Sequence, residues 1–426
     1  MKRYIYNFNW LFLDKIIRIF GGLFIGIWIA RYLGPENFGI LSYAMAFIAF
    51  FSFLSTLGLN SIVVREIAKD ENINDSVMGA TFYLKLYGGI LAFLLGSILI
   101  FTMKTDDVLL QMMVILLLVG YIFQSFDTIE YSFQAKVLSK YIVIAKNSAF
   151  LVSSLLKIYL ILNEFDVIYF AIISLLEIFL SSVFMILIYL KLGFSIMTWK
   201  ANHTVMKALL KDSWPLMLST FFITIYMKID QIMIESFLDM QSVGLYSVAV
   251  RLSEAWYFIP TIIVGTLMPY FVKLKDSNYE LYIYRLKQVN TGMFWMSFIV
   301  GLIATFFGET IIILLFGEVY KDAFMALSLS IWAGIFVSIG LATSFWVISE
   351  NLQIYRLIGT GIGVMLNIVA NYFLIPEYGI TGAAVATLIT QGLGIWVIPL
   401  FFRPIRGFTV MSITSIIPLY LLKGKK

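Results

Sequence analysis

Long apolar stretches separated by short polar runs dominate the chain. Windows 37–64, 108–126, 289–308, 323–349, 357–376 and 378–402 contain no charged residue at all. Six more, at 7–30, 80–103, 141–162, 167–190, 214–235 and 243–268, carry only a few charges each. A helix of roughly 20 mostly apolar residues crosses about 30 Å of hydrocarbon, so each window predicts a transmembrane helix, twelve in all. The period-2 alternation of a membrane barrel is absent, and the apolar runs are too long for barrel strands. The expected fold is an all-α polytopic membrane protein. The charged residues among the first 18 positions point to a retained first span rather than a cleaved leader.

Composition narrows the chemistry. The chain is 61% hydrophobic and 13% charged, against about 25% charged in ordinary soluble domains. That excludes a soluble enzyme, a nucleic-acid-binding module and a disordered protein. The net charge of +5 fits loops facing an anionic membrane surface, with no nucleic-acid partner. There is no cysteine, and His203 is the single histidine, which argues against thiol catalysis and multi-His metal sites. No Gly-rich phosphate cradle ending in Lys-Ser/Thr occurs, so no nucleotide hydrolysis and no cofactor is expected.

Loop charges set the orientation. Of 30 Lys and Arg, only Arg31, Lys104 and Lys321 fall in loops on one side. Arg18, Lys157, Lys228 and Arg251 lie inside spans. All others, including Lys85, Lys146 and Arg356, are assigned to the side of the N-terminus. Both termini are therefore expected in the cytoplasm, with an even number of spans. The apolar tail 408–422 is short and interrupted by Pro418, and is read as interfacial.

The polar segment 191–213 divides the chain into six-span lobes, 1–190 and 214–426. The halves echo each other. Leu33, Gly39, Ser42 and Ala44, after span one, match Leu238, Gly244, Ser247 and Ala249, after span seven, at one constant offset. A second echo pairs 164–168 with 377–381. An even number of spans per half makes the repeats parallel, an arrangement that recurs in transporters. The outward loops, 31–37, 103–107, 163–166, 236–242, 309–322 and 376–379, leave no room for an external catalytic domain.

Ionisable residues inside spans mark functional positions, because each costs roughly 2.5–3.5 kcal/mol by insertion scales. Asp14 and Arg18 share a face of span one. Thr220, Thr224, Lys228, Gln231 and Glu235 form a polar stripe on span seven, with Asp230 off it. Ser247, Arg251 and Glu254 share a face of span eight, which Pro260 is expected to kink. Spans five and six add Lys157 and Glu177. Asp14/Arg18 and Arg251/Glu254 are also spaced to form internal ion pairs. Arg18, Lys228 and Arg251 are the candidate substrate-binding cations. Asp230, Glu254 and Glu177 are the candidate ion-coupling carboxylates.

RYLGPENFGILSYA at 31–44, FGEVY at 316–320 and LIPEYGITGAAVAT at 374–387 resemble the polysaccharide-transporter family of bacterial O-antigen and repeat-unit flippases (Wzx type). That family lies within the multidrug/oligosaccharidyl-lipid/polysaccharide exporter superfamily. The resemblance implies two six-helix lobes around a central cavity in the bacterial inner membrane. Its implied cargo is an undecaprenyl-pyrophosphate-linked oligosaccharide, passed between lipid leaflets without ATP and coupled to H+ or Na+. It also implies glycan polymerases as partners on the same pathway. Arg18, Lys228 and Arg251 fall outside the matched motifs, so their roles rest on the charge argument alone. Rival readings are a drug/cation antiporter of the same superfamily, a lipid II flippase (which usually carries two more spans) and a membrane-embedded glycan polymerase or ligase.

Overall fold

The computed structural model describes residues 2–69, 74–350 and 352–417, with only the backbone described for 2–9, 11 and 74. Among the described residues the apolar windows are helices and no strand occurs. They run α1 (Lys2–Ala49), α2 (Ser52–Thr56), α3 (Asn60–Lys69), α4 (Asn74–Met103), α5 (Val108–Phe123), α6 (Thr128–Ala135), α7 (Ser139–Leu162) and α8 (Val167–Lys191). Then follow α9 (His203–Phe237), α10 (Met240–Trp256), α11 (Phe258–Ser277), α12 (Tyr279–Phe316), α13 (Phe324–Ser349), α14 (Gln353–Gly392) and α15 (Arg403–Thr414).

Ten of the described helical segments are long and apolar enough to cross a membrane. Two of them are double. The segment Phe12–Ala49 is 38 residues long and breaks at Gly34, where φ is 72° and ψ is 172°. The segment Gln353–Phe401 is 49 residues long and breaks at Gly379, where φ is 59° and ψ is −142°. Positive φ is cheap only for glycine, so each break is written into the sequence: Gly34 precedes Pro35, and Gly379 follows Pro376 by one turn. Counted as two arms each, these helices raise the spans to the twelve expected. The chain is a multi-pass membrane protein.

Two compact units divide within α9, between Lys228 and Ile229. In the first unit, residues 192–202 carry no helix, yet Trp199 is buried and meets Phe82 and Tyr189 at 5.5 and 5.9 Å. The polar segment after α8 is thus packed onto the helix ends around Ile129, Phe133 and Tyr189. The second unit centres on Phe271, Tyr282, Phe345 and Phe408, with Phe271 and Phe345 stacked at 4.3 Å.

Span eight bends where Pro260 requires it. Helix α10 ends at Trp256 and α11 starts at Phe258, because the proline ring clashes with the carbonyl four residues back and donates no N–H to it. The tail differs from a purely interfacial helix. Phe408 and Met411 of α15 are buried in the second unit's core. Asn290 Nδ2 donates to Ser412 O at 2.8 Å and Ser415 Oγ at 2.7 Å, and Trp295 Nε1 donates to Ile416 O at 3.1 Å. Residues 418–426, with the last lysines of the tail, lie outside the described residues.

Many of the cations assigned to loops lie on helices, and Lys85, Lys146 and Arg356 among them are drawn onto partners inside the fold. Lys85 is 1% exposed within α4, where its Nζ lies 3.3 Å from Tyr131 Oη and 3.8 Å from Asp127. Lys146 lies on α7, paired with Glu130. Arg356 lies on α14 and donates to Ser344 Oγ at 2.5 Å. Their acceptors are distant in sequence, so local polarity alone could not separate them from loop cations.

Candidate functional site

Asp230 has the most built surroundings of the six candidates. It lies on α9 and is 4% exposed. Its Oδ1 accepts from Asn371 Nδ2 at 2.6 Å. Its Oδ2 accepts from Tyr246 Oη at 2.5 Å and Thr387 Oγ1 at 2.7 Å. The Asn371 amide also donates to Asn367 Oδ1 at 3.1 Å. One residue along, Gln231 donates to Ser247 Oγ at 3.1 Å.

Three elements converge there, and the break in α14 explains how. Asn367 and Asn371 are one turn apart on its first arm, and Thr387 and Thr390 share a face of its second. Gly379 lies midway between Asn371 and Thr387, eight residues from each, so reversing the chain at Gly379 brings both to one depth. Asn371 Oδ1 is buried and accepts no hydrogen bond. All of Asp230's hydrogen-bond partners are neutral, and among the described residues no cation lies within ion-pair distance of it. A lone buried carboxylate is costly as an anion, so this site favours a proton or a small hard cation with oxygen ligands. Among the described residues there is no cluster of three or more His, Cys, Asp or Glu side chains fit for a metal ion.

The other candidates lie in different settings. Glu177 Oε2 takes Lys157 Nζ at 3.1 Å and Ser153 Oγ at 2.6 Å, a satisfied ion pair between α8 and α7. Arg18 pairs with Asp14 at 3.1 Å and lies 5.9 Å from the Phe150 ring centre. Arg251 and Glu254 are half-buried on one face of α10, within each other's field. Lys228 is half-buried on α9. The structure therefore places Glu177 in the paired arrangement and Asp230 alone among neutral donors. Asn367, Asn371, Tyr246 and Thr387 were missed from sequence. Their signal was an Asn pair one turn apart in a charge-free span, since polar residues there seek partners across helices.

A separate cleft of about 370 Å³ opens at the end of the first unit, lined by Arg65, Glu66, Lys69 and Asp212 among others. Arg65 reaches Glu66 and Asp212 at 2.7 Å each. The Arg65 guanidinium beside Glu66 holds its carboxyl below the usual range, with Lys69 adding to the effect.

Comparison with known proteins agrees with this architecture. A family model described as "Polysaccharide biosynthesis protein" matches residues 6–275. The chain is 26% identical over 174 residues to the "Probable flippase AglR" of Haloferax volcanii, covering 40% of this chain and 36% of that protein. The alignment thus spans little more than a third of the relative's length. Among solved structures, the lipid II flippase MurJ in an inward closed conformation superimposes with a TM-score of 0.71 at 18% identity, over 97% of this chain and 93% of that one. An inward-facing multidrug resistance MATE family transporter of the MOP superfamily gives 0.69 at 18% identity, over 93% and 94%. At such identity these two likenesses establish the fold.

Proposed function

The chain belongs to the polysaccharide biosynthesis protein family, and on that premise we propose that it is a flippase for undecaprenyl-pyrophosphate-linked oligosaccharide repeat units of O-antigen or capsule type. It moves them from the cytoplasmic to the periplasmic leaflet of the bacterial inner membrane by alternating access, driven by an H+ or Na+ gradient. The observation that carries the reading is the Asp230 site. A carboxylate 4% exposed in a span, held only by neutral donors, has no structural counter-charge to neutralise. A proton or cation arriving from one side supplies it, and that is how a gradient gains a handle on conformation. Glu254 is the next candidate for this role; Glu177, already paired with Lys157, fits it least.

Cargo recognition falls to the cations. A diphosphate cannot cross bare hydrocarbon, and charge-assisted hydrogen bonds from fixed cations lower the cost of its passage. Arg18 and Arg251 offer forked donors for two phosphate oxygens, and Lys228 a point charge. A drug/cation antiporter would share the coupling site but would have no use for these three. The test is complementation of a flippase-null strain that carries the matching glycan pathway, with protein level followed by blot. Arg18→Ala and Arg251→Ala should each abolish surface-glycan export, Lys228→Ala should weaken it, and Arg251→Lys should keep part of it. Full export from the Arg18→Ala/Arg251→Ala double variant would return these residues to ion-pair status and open the antiporter reading.

A further inference from the structure

Beside Arg18 lies a second cation that the sequence had placed in a loop. Lys146, on α7, is 24% exposed and paired with Glu130, which is 17% exposed. The second oxygen of Glu130 accepts from Gln134 Nε2 at 3.1 Å. Arg18, across on α1, is 33% exposed and paired with Asp14. Lys146 feels the charge of Arg18 as well as that of Glu130 and Asp127. Phe150, one turn beyond Lys146, lies under the Arg18 guanidinium. Two ion pairs thus sit side by side, each with its cationic side chain only partly buried.

Both cations also lie at one depth. Tyr32 Oη donates to Phe165 O at 3.0 Å, which ties the first arm of α1 near its end to the loop just after α7. Counting back at the helical rise, Arg18 is about 21 Å below Tyr32 and Lys146 about 24 Å below Leu162. In a span of about 30 Å that places both in the third nearer the other face.

We propose that Arg18 and Lys146 form one two-point clamp for the diphosphate of the lipid-linked cargo, with Asp14 and Glu130 as the carboxylates that the phosphate oxygens displace. This rests on the flippase reading above. The logic is competition. Two cations matched by two carboxylates are neutral at rest, so the empty site avoids the cost of unpaired cations. An incoming diphosphate supplies oxygens that replace the carboxylate oxygens one for one. Glu130 keeps Gln134 as a donor once Lys146 is drawn away, so release leaves it partly satisfied. A merely structural pair would lose from removal of either partner. A clamp would lose from removal of the cation and gain from removal of the carboxylate.

The experiment measures binding of a short-chain prenyl diphosphate and of inorganic pyrophosphate to the full chain in nanodiscs, alongside the export assay. Lys146→Ala should weaken binding of both probes about tenfold, Lys146→Arg should restore most of it, and Glu130→Gln should tighten binding severalfold. The neutral pair Lys146→Gln/Glu130→Gln keeps a hydrogen-bonded couple and should fold as the parent does while binding weakly, which separates binding from stability. Prenyl diphosphate should bind more tightly than pyrophosphate; equal affinity would overturn the lipid-linked assignment in favour of a free anion. Unchanged binding in Lys146→Ala, or weaker binding in Glu130→Gln, would overturn the clamp while leaving the flippase reading intact. Failure of the unaltered protein both to bind either probe and to complement would instead overturn the flippase reading itself.

Discussion

Asp230 shows what one residue can carry. Asp230→Asn removes the charge and little volume, and the surroundings can absorb it. The hydroxyls of Tyr246 and Thr387 rotate to accept as well as donate, and Asn371 can offer its idle Oδ1 by turning its amide. The protein should therefore insert and fold, while gradient-dependent export falls at least tenfold. Export would be followed with and without an imposed H+ or Na+ gradient; an undiminished gradient response in the variant would remove Asp230 from the coupling role. Sequence reading singled out this residue because a charge in a span is expensive. It could not identify the partners, since Tyr246, Asn371 and Thr387 are 16, 141 and 157 residues away and neutral. Lys85 shows the opposite failure. A lysine near the end of an apolar window reads as a cation reaching for headgroups, and only Asp127 and Tyr131, brought in from beyond α5, reveal it as buried.

At the level of elements, the apolar windows marked the spans well and their ends poorly. Helix α12 starts at Tyr279, well before its window at 289, because hydropathy reports the membrane and a helix can run on into water. Gly34 and Gly379 both lie within the family-like motifs 31–44 and 374–387, and their positive φ gives a physical reason for glycine there. Alanine at either position would meet no clash, as nothing lies within 4 Å of a Cβ at Gly34 and only Leu238 at 3.9 Å for Gly379. The cost is backbone strain, about 1–3 kcal/mol, because positive φ with extended ψ is open essentially only to glycine. Gly34→Ala and Gly379→Ala should thus lower the detergent melting temperature to a similar extent. Only Gly379→Ala should also disturb ion-dependent stabilisation, because the turn at 379 sets Asn371 opposite Thr387. Equal ion responses in the two variants would detach the turn from the site. On α3, pH provides a second check. The lowered pKa of Glu66 means that its pairing with Arg65 adds stability that is fully present above the unfolded carboxyl value, about 4.3, and disappears as pH falls through the folded value. The melting-point gap between the parent and Glu66→Gln should hold steady near neutrality and close in acid; a gap independent of pH would assign the difference to packing.

For the whole molecule, orientation is the property that charge counting addresses most directly, and the corrected positions test its robustness. Drawing Lys85, Lys146 and Arg356 onto internal partners thins the set expected on the cytoplasmic side but adds nothing to the opposite one, which remains Arg31, Lys104 and Lys321. The bias that orients a chain during insertion acts through loops and the ends of spans, so an asymmetry this large survives the loss of three members. The two breaks matter more. Without Gly34 and Gly379 as reversals there would be ten crossings, which is still even; with only one of them there would be eleven, and the termini would part. Because the chain has no cysteine, each engineered thiol reports alone. Asp106→Cys and Asn163→Cys, both exposed in loops that the charge bias expects outside, should react with a membrane-impermeant maleimide in intact spheroplasts. Lys200→Cys, in the exposed stretch between α8 and α9, and Ser277→Cys, exposed at the end of α11, should react only after permeabilisation. Ser277 follows span eight and Lys200 follows span six, so a span miscounted between them would give the two positions opposite accessibilities. Labelling of either in intact spheroplasts would overturn the cytoplasmic placement of the chain's ends.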